Sequence, residues 1–144
     1  MRRRSTDGPT YFVDRCLGSS IIPSALRAAN ALVEVHEEHF AHDARDEDWL
    51  AVVGSREWIV LTKDDAIRRR PNEQRAIRDA AVGAFVVTAG GLAGHDLARI
   101  LVQALPAMAR FVDKHRRPFI VTISRSCDLR IVLGGERRGG ARKE

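Results

Sequence analysis

The sequence has few of the features on which disulfide-rich, zinc-binding or membrane proteins depend. Its only cysteines are Cys16 and Cys127, which lie far apart and form no CxxC pair. Two such thiols support neither a structural zinc site nor a disulfide framework, so they favour a reducing cytoplasm. No apolar run approaches the roughly 20 residues that a membrane-spanning helix needs. No apolar segment of the kind found in a secretory signal follows the basic first residues. We therefore expect a cytoplasmic protein with no membrane segment.

The composition is that of a folded domain with a basic surface. Hydrophobic residues make up 44% and charged residues 30% of the 144 residues, which is enough for one buried core. The formal net charge is +5 at pH 7, and arginines cluster at residues 2–4, 68–70, 116–117 and 137–138. A basic balance suits a polyanionic partner such as a nucleic acid. The alternative is that these clusters are solvated faces of an arginine-rich protein.

Short apolar runs alternate with longer segments of helical period. Strands are predicted at residues 11–13, 32–36, 58–62, 84–88, 119–123 and 129–133, and helices at residues 22–31, 46–55, 71–81 and 95–115. Several strand candidates are continuously apolar, as expected of strands buried on both faces of a parallel sheet. The pattern predicts a three-layer α/β/α domain at residues 11–133 with a mainly parallel sheet, closed by a hairpin of the last two strands. A basic tail at residues 1–10 and a Gly/Arg-rich tail at residues 134–144 flank this domain.

Acidic residues follow two of the predicted strands, where open parallel sheets bind their ligands. Asp14 and Asp64 come after strands, and Asp46, Glu47 and Asp48 open a helix that leads into the second of those strands. Carboxylates gathered at one edge repel each other, and a hard cation such as Mg²⁺ relieves the repulsion. The alternative is that these acids are ordinary turn residues and helix caps. Which member of the triple acid run faces the edge is open.

Three further patterns bear on function less directly. Arginines 68–70 lie between the strand before Asp64 and the next helix, where they could hold phosphates. The run from His36 to His39 spaces its histidines by three, not the four of HExxH, so we interpret them as ordinary surface or loop residues. The glycines at residues 90, 91 and 94 lack the Lys-Ser/Thr of a phosphate-binding P-loop and are interpreted as a turn.

Three motifs stand in order along the chain: FVDRxLG at residues 12–18, DEDWL at residues 46–50, and VLTKD at residues 60–64 followed by IRxRP at residues 67–71. Together they resemble the PIN-like domain family, and more narrowly its VapC-like branch of predicted ribonuclease toxins. The similarity extends over residues 11–123. The TKD segment with its following arginines is the most specific part.

The resemblance implies a Mg²⁺- or Mn²⁺-dependent endoribonuclease, the toxin of a type II toxin–antitoxin system. Such a hydrolase acts on RNA, is often paired with an antitoxin protein and is often a homodimer. The resemblance also assigns residues: Asp14, Asp46 and Asp64 as catalytic, metal-binding acids, and Thr62, Lys63, Arg68 and Arg70 as substrate-binding residues, with Thr62 also orienting Asp64.

Two departures from the family pattern qualify what the resemblance implies. Cys16 stands where a small polar residue such as serine is expected. The family commonly has a fourth acid, and the sequence places none: Asp65 would point away from Asp64, and Asp79 and Asp96 lie on predicted helices. A non-catalytic PIN-like domain that binds nucleic acid is therefore the alternative.

Overall fold

A six-stranded sheet runs through the centre of the protein, whose computed structural model describes residues 8–138. Its strands are β1 (Thr10–Val13), β2 (Leu32–Val35), β3 (Ile59–Thr62), β4 (Gly83–Val87), β5 (Phe119–Ile123) and β6 (Leu129–Gly134). In space they follow the order β2-β1-β3-β4-β5-β6. The first five are parallel, and β6 pairs antiparallel with β5. The predicted mainly parallel sheet with its closing hairpin is confirmed.

Helices cover both faces of this sheet. They are α1 (Ile21–Ala28), α2 (Asp46–Ser55), α3 (Ala66–Arg69), α4 (Pro71–Asp79) and α5 (Gly94–Lys114). Side chains alternate between the two faces of a strand, so Val60 packs with α2 and α4 in one core cluster, while Ile59 and Leu61 pack with α1 and α5 in the other. Because both clusters are buried, the strands are apolar on both faces. This accounts for the continuous runs in the sequence.

The structure differs from the predicted elements at the ends of two strands and in the segment before Pro71. His36 begins a 3₁₀ turn, His36–Glu38, instead of ending β2, and Trp58 precedes β3. The segment before Pro71 contains a short helix, α3, that was predicted as a connection. The carboxylate of Asp64 accepts a hydrogen bond from the backbone N–H of Ala66 at 3.0 Å, which favours a turn at this point.

The chain ends differ in part from the predicted tails. Strand β1 begins at Thr10, the last residue of the predicted N-terminal tail. Residues 1–7 of that tail and residues 139–144 of the C-terminal tail lie outside the described residues. The boundary predicted at residue 134 is too early, because Gly134 belongs to β6 and Arg137 forms a β-bridge with His115. None of the helices within residues 8–138 is both long enough and apolar enough to span a bilayer.

Candidate active site

The point where the chain reverses its winding direction lies between β1 and β3. Strand β2 is on one side of β1, and β3 and the later strands are on the other. Open α/β sheets bind ligands in the crevice at such a switch point. Asp14 directly follows β1, and its backbone N–H donates to the carbonyl of Leu61 in β3 at 3.0 Å. The first predicted acid is thereby fixed at the crevice.

Thr62, the last residue of β3, connects two of the predicted acids. Its Oγ1 donates to Oδ2 of Asp14 at 2.8 Å and accepts from the backbone N–H of Asp64 at 3.0 Å. The residue is only 1% exposed, so a substrate has no access to its hydroxyl. A role for Thr62 in binding substrate stays a prediction, and its burial gives that role no support. Its hydrogen bonds instead hold Asp14 and the backbone of Asp64.

Cys16 occupies the position at which a small hydroxyl was expected. Its Sγ lies 3.3 Å from Oδ2 of Asp14 and 3.2 Å from Oγ1 of Thr62. Burial, followed by the negative charge of Asp14, raises the pKa of the Cys16 thiol to about 11. The thiol is therefore protonated near neutral pH, and it donates to Asp14 as a serine hydroxyl would.

Asp46 is the member of the triple acid run that faces the crevice. It is the first residue of α2, and its Oδ1 accepts from Nε1 of Trp49 at 3.0 Å. The neighbouring Glu47 is bound to Arg45 at 2.7 Å and does not line the same cleft. The structure thus answers the question that the sequence left open in favour of Asp46.

The acids line one cleft of about 300 Å³, together with a fourth that the sequence analysis missed. That residue is Glu73, in the first turn of α4. Burial raises the pKa of Glu73, and the negative charges of Asp46 and Asp64 raise it further. The remaining walls are Arg15, Cys16, Trp49, Leu50, Lys63, Ile67 and Ile77. The sequence signal for Glu73 was its position two residues after the end of the IRxRP motif.

The donor set fits a hydrated divalent cation. Carboxylate oxygens are the ligands that Mg²⁺ and Mn²⁺ prefer. Asp14, Asp46 and Asp64 each use one oxygen in a hydrogen bond, and none of their second oxygens receives one from a described residue. The acids line the cleft without converging closely: within residues 8–138, only Glu34, Glu38 and His39 bring three ligand atoms within 4.8 Å of one another. No three of the cleft acids are therefore close enough to ligate one ion directly together, so part of their contact with Mg²⁺ would pass through the waters that it keeps when bound.

The basic residues are arranged differently from the prediction. Lys63 lines the cleft, as does Arg15, which was not among the predicted substrate-binding residues. Arg68 and Arg69 both bind Asp65, and none of these three residues lines the cleft. Neither Arg68 nor Arg70 belongs to the cleft wall. The expectation that these two arginines hold substrate phosphates is therefore not supported by their positions.

The fold and the cleft define an α/β/α domain with an acidic site at the switch point of a parallel sheet. Comparison with known proteins agrees: the family described as "PIN like domain" matches residues 9–89, more than half of the chain. The protein belongs to the PIN-like domain family, and the matched region contains all four acids of the cleft.

A relative narrows this assignment. The chain is 31% identical over 125 residues to the protein named "Putative ribonuclease VapC45" of Mycobacterium tuberculosis (strain ATCC 25618 / H37Rv). The alignment covers 84% of this chain and 90% of that protein. No solved structure matches the chain. The resemblance to VapC-like PIN domains seen in the sequence motifs is confirmed.

Proposed function

We propose that this protein is a Mg²⁺- or Mn²⁺-dependent endoribonuclease that hydrolyses RNA phosphodiester bonds. The observation that carries the proposal is the meeting of Asp14, Asp46, Asp64 and Glu73, from four separate stretches of chain, in one cleft. Membership in the PIN-like family and the ribonuclease name of the Mycobacterium tuberculosis relative support RNA as the substrate.

In this mechanism the cation would lie among the four acids, held in part through its own waters, and the RNA would lie in the cleft. A bound Mg²⁺ or Mn²⁺ supplies Lewis-acid stabilisation of the charge that develops on the phosphodiester. Thr62 holds Asp14 and the backbone of Asp64 through hydrogen bonds, so both acids are oriented before a ligand arrives. Lys63 brings a positive charge to the cleft wall, where it attracts a neighbouring phosphate. Apolar side chains in the wall, including Leu50 and Ile67, make the surroundings less polar and so strengthen these electrostatic interactions.

Removal of single acids tests the proposal. Asp14→Asn and Asp64→Asn are expected to abolish Mn²⁺-dependent cleavage of single-stranded and structured RNA, because each removes a ligand charge at the cleft. Asp65→Asn is the matched control: it makes the same chemical change one residue away, in a carboxylate that binds Arg68 and Arg69 instead. Chelator should stop cleavage by the unmodified protein. Full activity in both Asp14→Asn and Asp64→Asn would refute the assignment, as would an equal loss in Asp65→Asn.

A non-catalytic, RNA-binding PIN-like domain is the second candidate. The spread of the acids, which do not bring three ligand atoms within 4.8 Å anywhere in the described cleft, favours it. The presence of Glu73 as a fourth acid weighs against it, because the apparent lack of such an acid was its original basis. RNA binding with no metal-dependent product under any of these conditions would establish the second candidate.

The same proposal includes a toxin role, a cytoplasmic location, a cognate antitoxin and a homodimer. The resemblance of the sequence motifs to the VapC-like toxin branch motivates the toxin assignment, and the relative that the chain matches has a VapC name. A small gene directly beside this one, whose product co-purifies with the protein and suppresses cleavage, is the expected finding for the antitoxin. Light scattering on the purified protein tests the dimer, and cell fractionation tests the location.

A further inference from the structure

Arg15 lines the cleft, and groups behind it hold its guanidinium in place. One terminal nitrogen, NH1, donates to the carbonyl oxygen of His42 at 2.7 Å and lies 3.4 Å from Nε2 of His36. The other, NH2, lies 3.5 Å from Oδ1 of Asp46. Arg15 also lines a neighbouring open groove, together with Asp46 and Glu73. It therefore stands where the acidic cleft opens onto a surface along which a polymer could lie.

His36 is the rigid part of this support. Its side chain is 2% exposed, and its ring packs against those of Phe12, Phe40 and Trp49, with centroids 6.0, 5.5 and 5.7 Å away. Burial, followed by the positive charge of Arg15, lowers the pKa of His36. A neutral imidazole has one acceptor nitrogen, and Nε2 can accept from Arg15. A fixed acceptor of this kind reduces the conformational entropy that the arginine loses when it binds a ligand.

The charge of Arg15 is only weakly neutralised by its contact with Asp46. The two side chains are 37% and 47% exposed and 3.5 Å apart, and exposed pairs of this kind contribute little. The same oxygen of Asp46 also accepts from Trp49 at 3.0 Å. Arg68, by contrast, is bound to Asp65 outside the cleft. Of the arginines considered as phosphate ligands, Arg15 is the one placed at the cleft.

We propose that Arg15 binds a phosphate group of the RNA beside the scissile bond, and that His36 and the carbonyl of His42 position its guanidinium for this contact. A guanidinium can donate two parallel hydrogen bonds to one phosphate, which gives orientation as well as affinity. The reference to a scissile bond rests on the proposed nuclease function. The phosphate contact itself is measurable without cleavage.

Two other roles for Arg15 predict different results. If it served only as a countercharge for the acids, its removal would tighten Mn²⁺ binding and leave RNA binding unchanged. If it only maintained the shape of the site, its removal would weaken both. A phosphate ligand predicts a third pattern: weaker RNA binding, with Mn²⁺ binding unchanged or tighter because a positive charge has left the cleft.

The experiment compares Arg15→Gln with Arg117→Gln. Arg117 is the matched control, since it also forms an ion pair at 3.5 Å, with Glu57, near the start of β5 and away from the cleft. Affinity for a fluorescein-labelled single-stranded RNA is measured by anisotropy in chelator, in the Asp64→Asn background. We expect Arg15→Gln to weaken binding by about tenfold or more, the size of a lost charge-assisted hydrogen bond. Arg117→Gln should change it by no more than about twofold, as expected of a single distant charge.

Mn²⁺ titrations of the same two substitutions without Asp64→Asn complete the test. RNA affinity that is equal in Arg15→Gln and Arg117→Gln would overturn the proposal, and so would a weaker Mn²⁺ affinity in Arg15→Gln. If Arg15→Gln does not fold, Arg15→Lys replaces it: the retained charge without the guanidinium fork should still weaken RNA binding several-fold, and unchanged binding refutes the proposal. Failure of the nuclease assignment would appear separately, as cleavage that persists in Asp14→Asn and Asp64→Asn.

Discussion

The hydroxyl of Thr62 offers a sharp test of how the site is held together. It donates to Asp14 and accepts from the backbone N–H of Asp64, and its side chain is fully buried. Thr62→Val keeps the shape of the side chain but removes the hydroxyl. Thr62→Ser keeps the hydroxyl but removes a methyl group. Packing alone predicts that valine is tolerated better than serine, whereas the hydrogen bonds predict the reverse order.

The expected magnitudes follow from the groups that each substitution leaves behind. Valine removes the 2.8 Å donor of the buried Asp14 carboxylate and the 3.0 Å acceptor of the Asp64 N–H. The N–H of Asp64 is left without its partner, which costs about 1–3 kcal/mol, whereas Oδ2 of Asp14 loses one donor and keeps the Cys16 thiol at 3.3 Å. Because the loss of one of two donors to Asp14 adds to this cost without being strictly additive, the free energy of unfolding should fall by about 2–3 kcal/mol in Thr62→Val. Serine loses one buried methyl group, which costs about 1 kcal/mol.

Urea unfolding in chelator measures this difference, with equal m-values showing that the denatured states are comparable. A Mn²⁺ titration gives a second measurement. Thr62→Ser should bind Mn²⁺ as the unmodified protein does, whereas Thr62→Val should bind it more weakly because Asp14 loses one of its two side-chain donors and keeps only the Cys16 thiol. A valine variant as stable as the serine variant, with the same Mn²⁺ affinity, would show that the hydroxyl does not organise the site.

Three further predictions concern the framework. A Cβ added at Gly54 would overlap the carbonyl oxygen of Ala80, so Gly54→Ala should lower the free energy of unfolding by about 2 kcal/mol or more in urea titrations. Gly90→Ala, whose Cβ would meet no atom within 4 Å, should change it by no more than about 0.5 kcal/mol. The hydroxyl of Tyr11 is buried without a hydrogen-bond partner among the described residues, so Tyr11→Phe should stabilise the protein by up to about 1–3 kcal/mol, and a lower melting temperature would contradict this. Burial lowers the pKa of His36 from 6.5, so the unfolded chain binds a proton at a pH where the native state does not. The free energy of unfolding should therefore fall as the pH decreases below 6.5, and it should fall less in His36→Gln when the two are titrated in parallel.

The fold could be predicted from the sequence because its determinants are local. Continuously apolar segments such as residues 59–61 are needed when both faces of a strand are covered, and their alternation with amphipathic segments specifies a layered sheet. The positions of Asp14 and Asp64 followed from the same argument, since each comes just after a strand. The first turn of α2 was also predictable, but which of its three acids faces the cleft depends on how that helix packs.

The choice of basic residues in the cleft could not be predicted, because it depends on which arginines already have a partner and on how the helices pack. Arg68 and Arg70 were assigned to substrate through the family resemblance and their closeness to Asp64, but Arg68 pairs with Asp65 along the short helix α3, which was not predicted, and neither arginine lines the cleft. Glu73 enters the cleft because of the way α4 packs, whereas Arg15 directly follows Asp14 and was overlooked within the motif FVDRxLG. Sequence proximity therefore locates the carboxyl edge at which the acids meet. Which basic side chain faces those acids depends on which arginines and lysines already form ion pairs elsewhere, and this is known only once the packed structure is known.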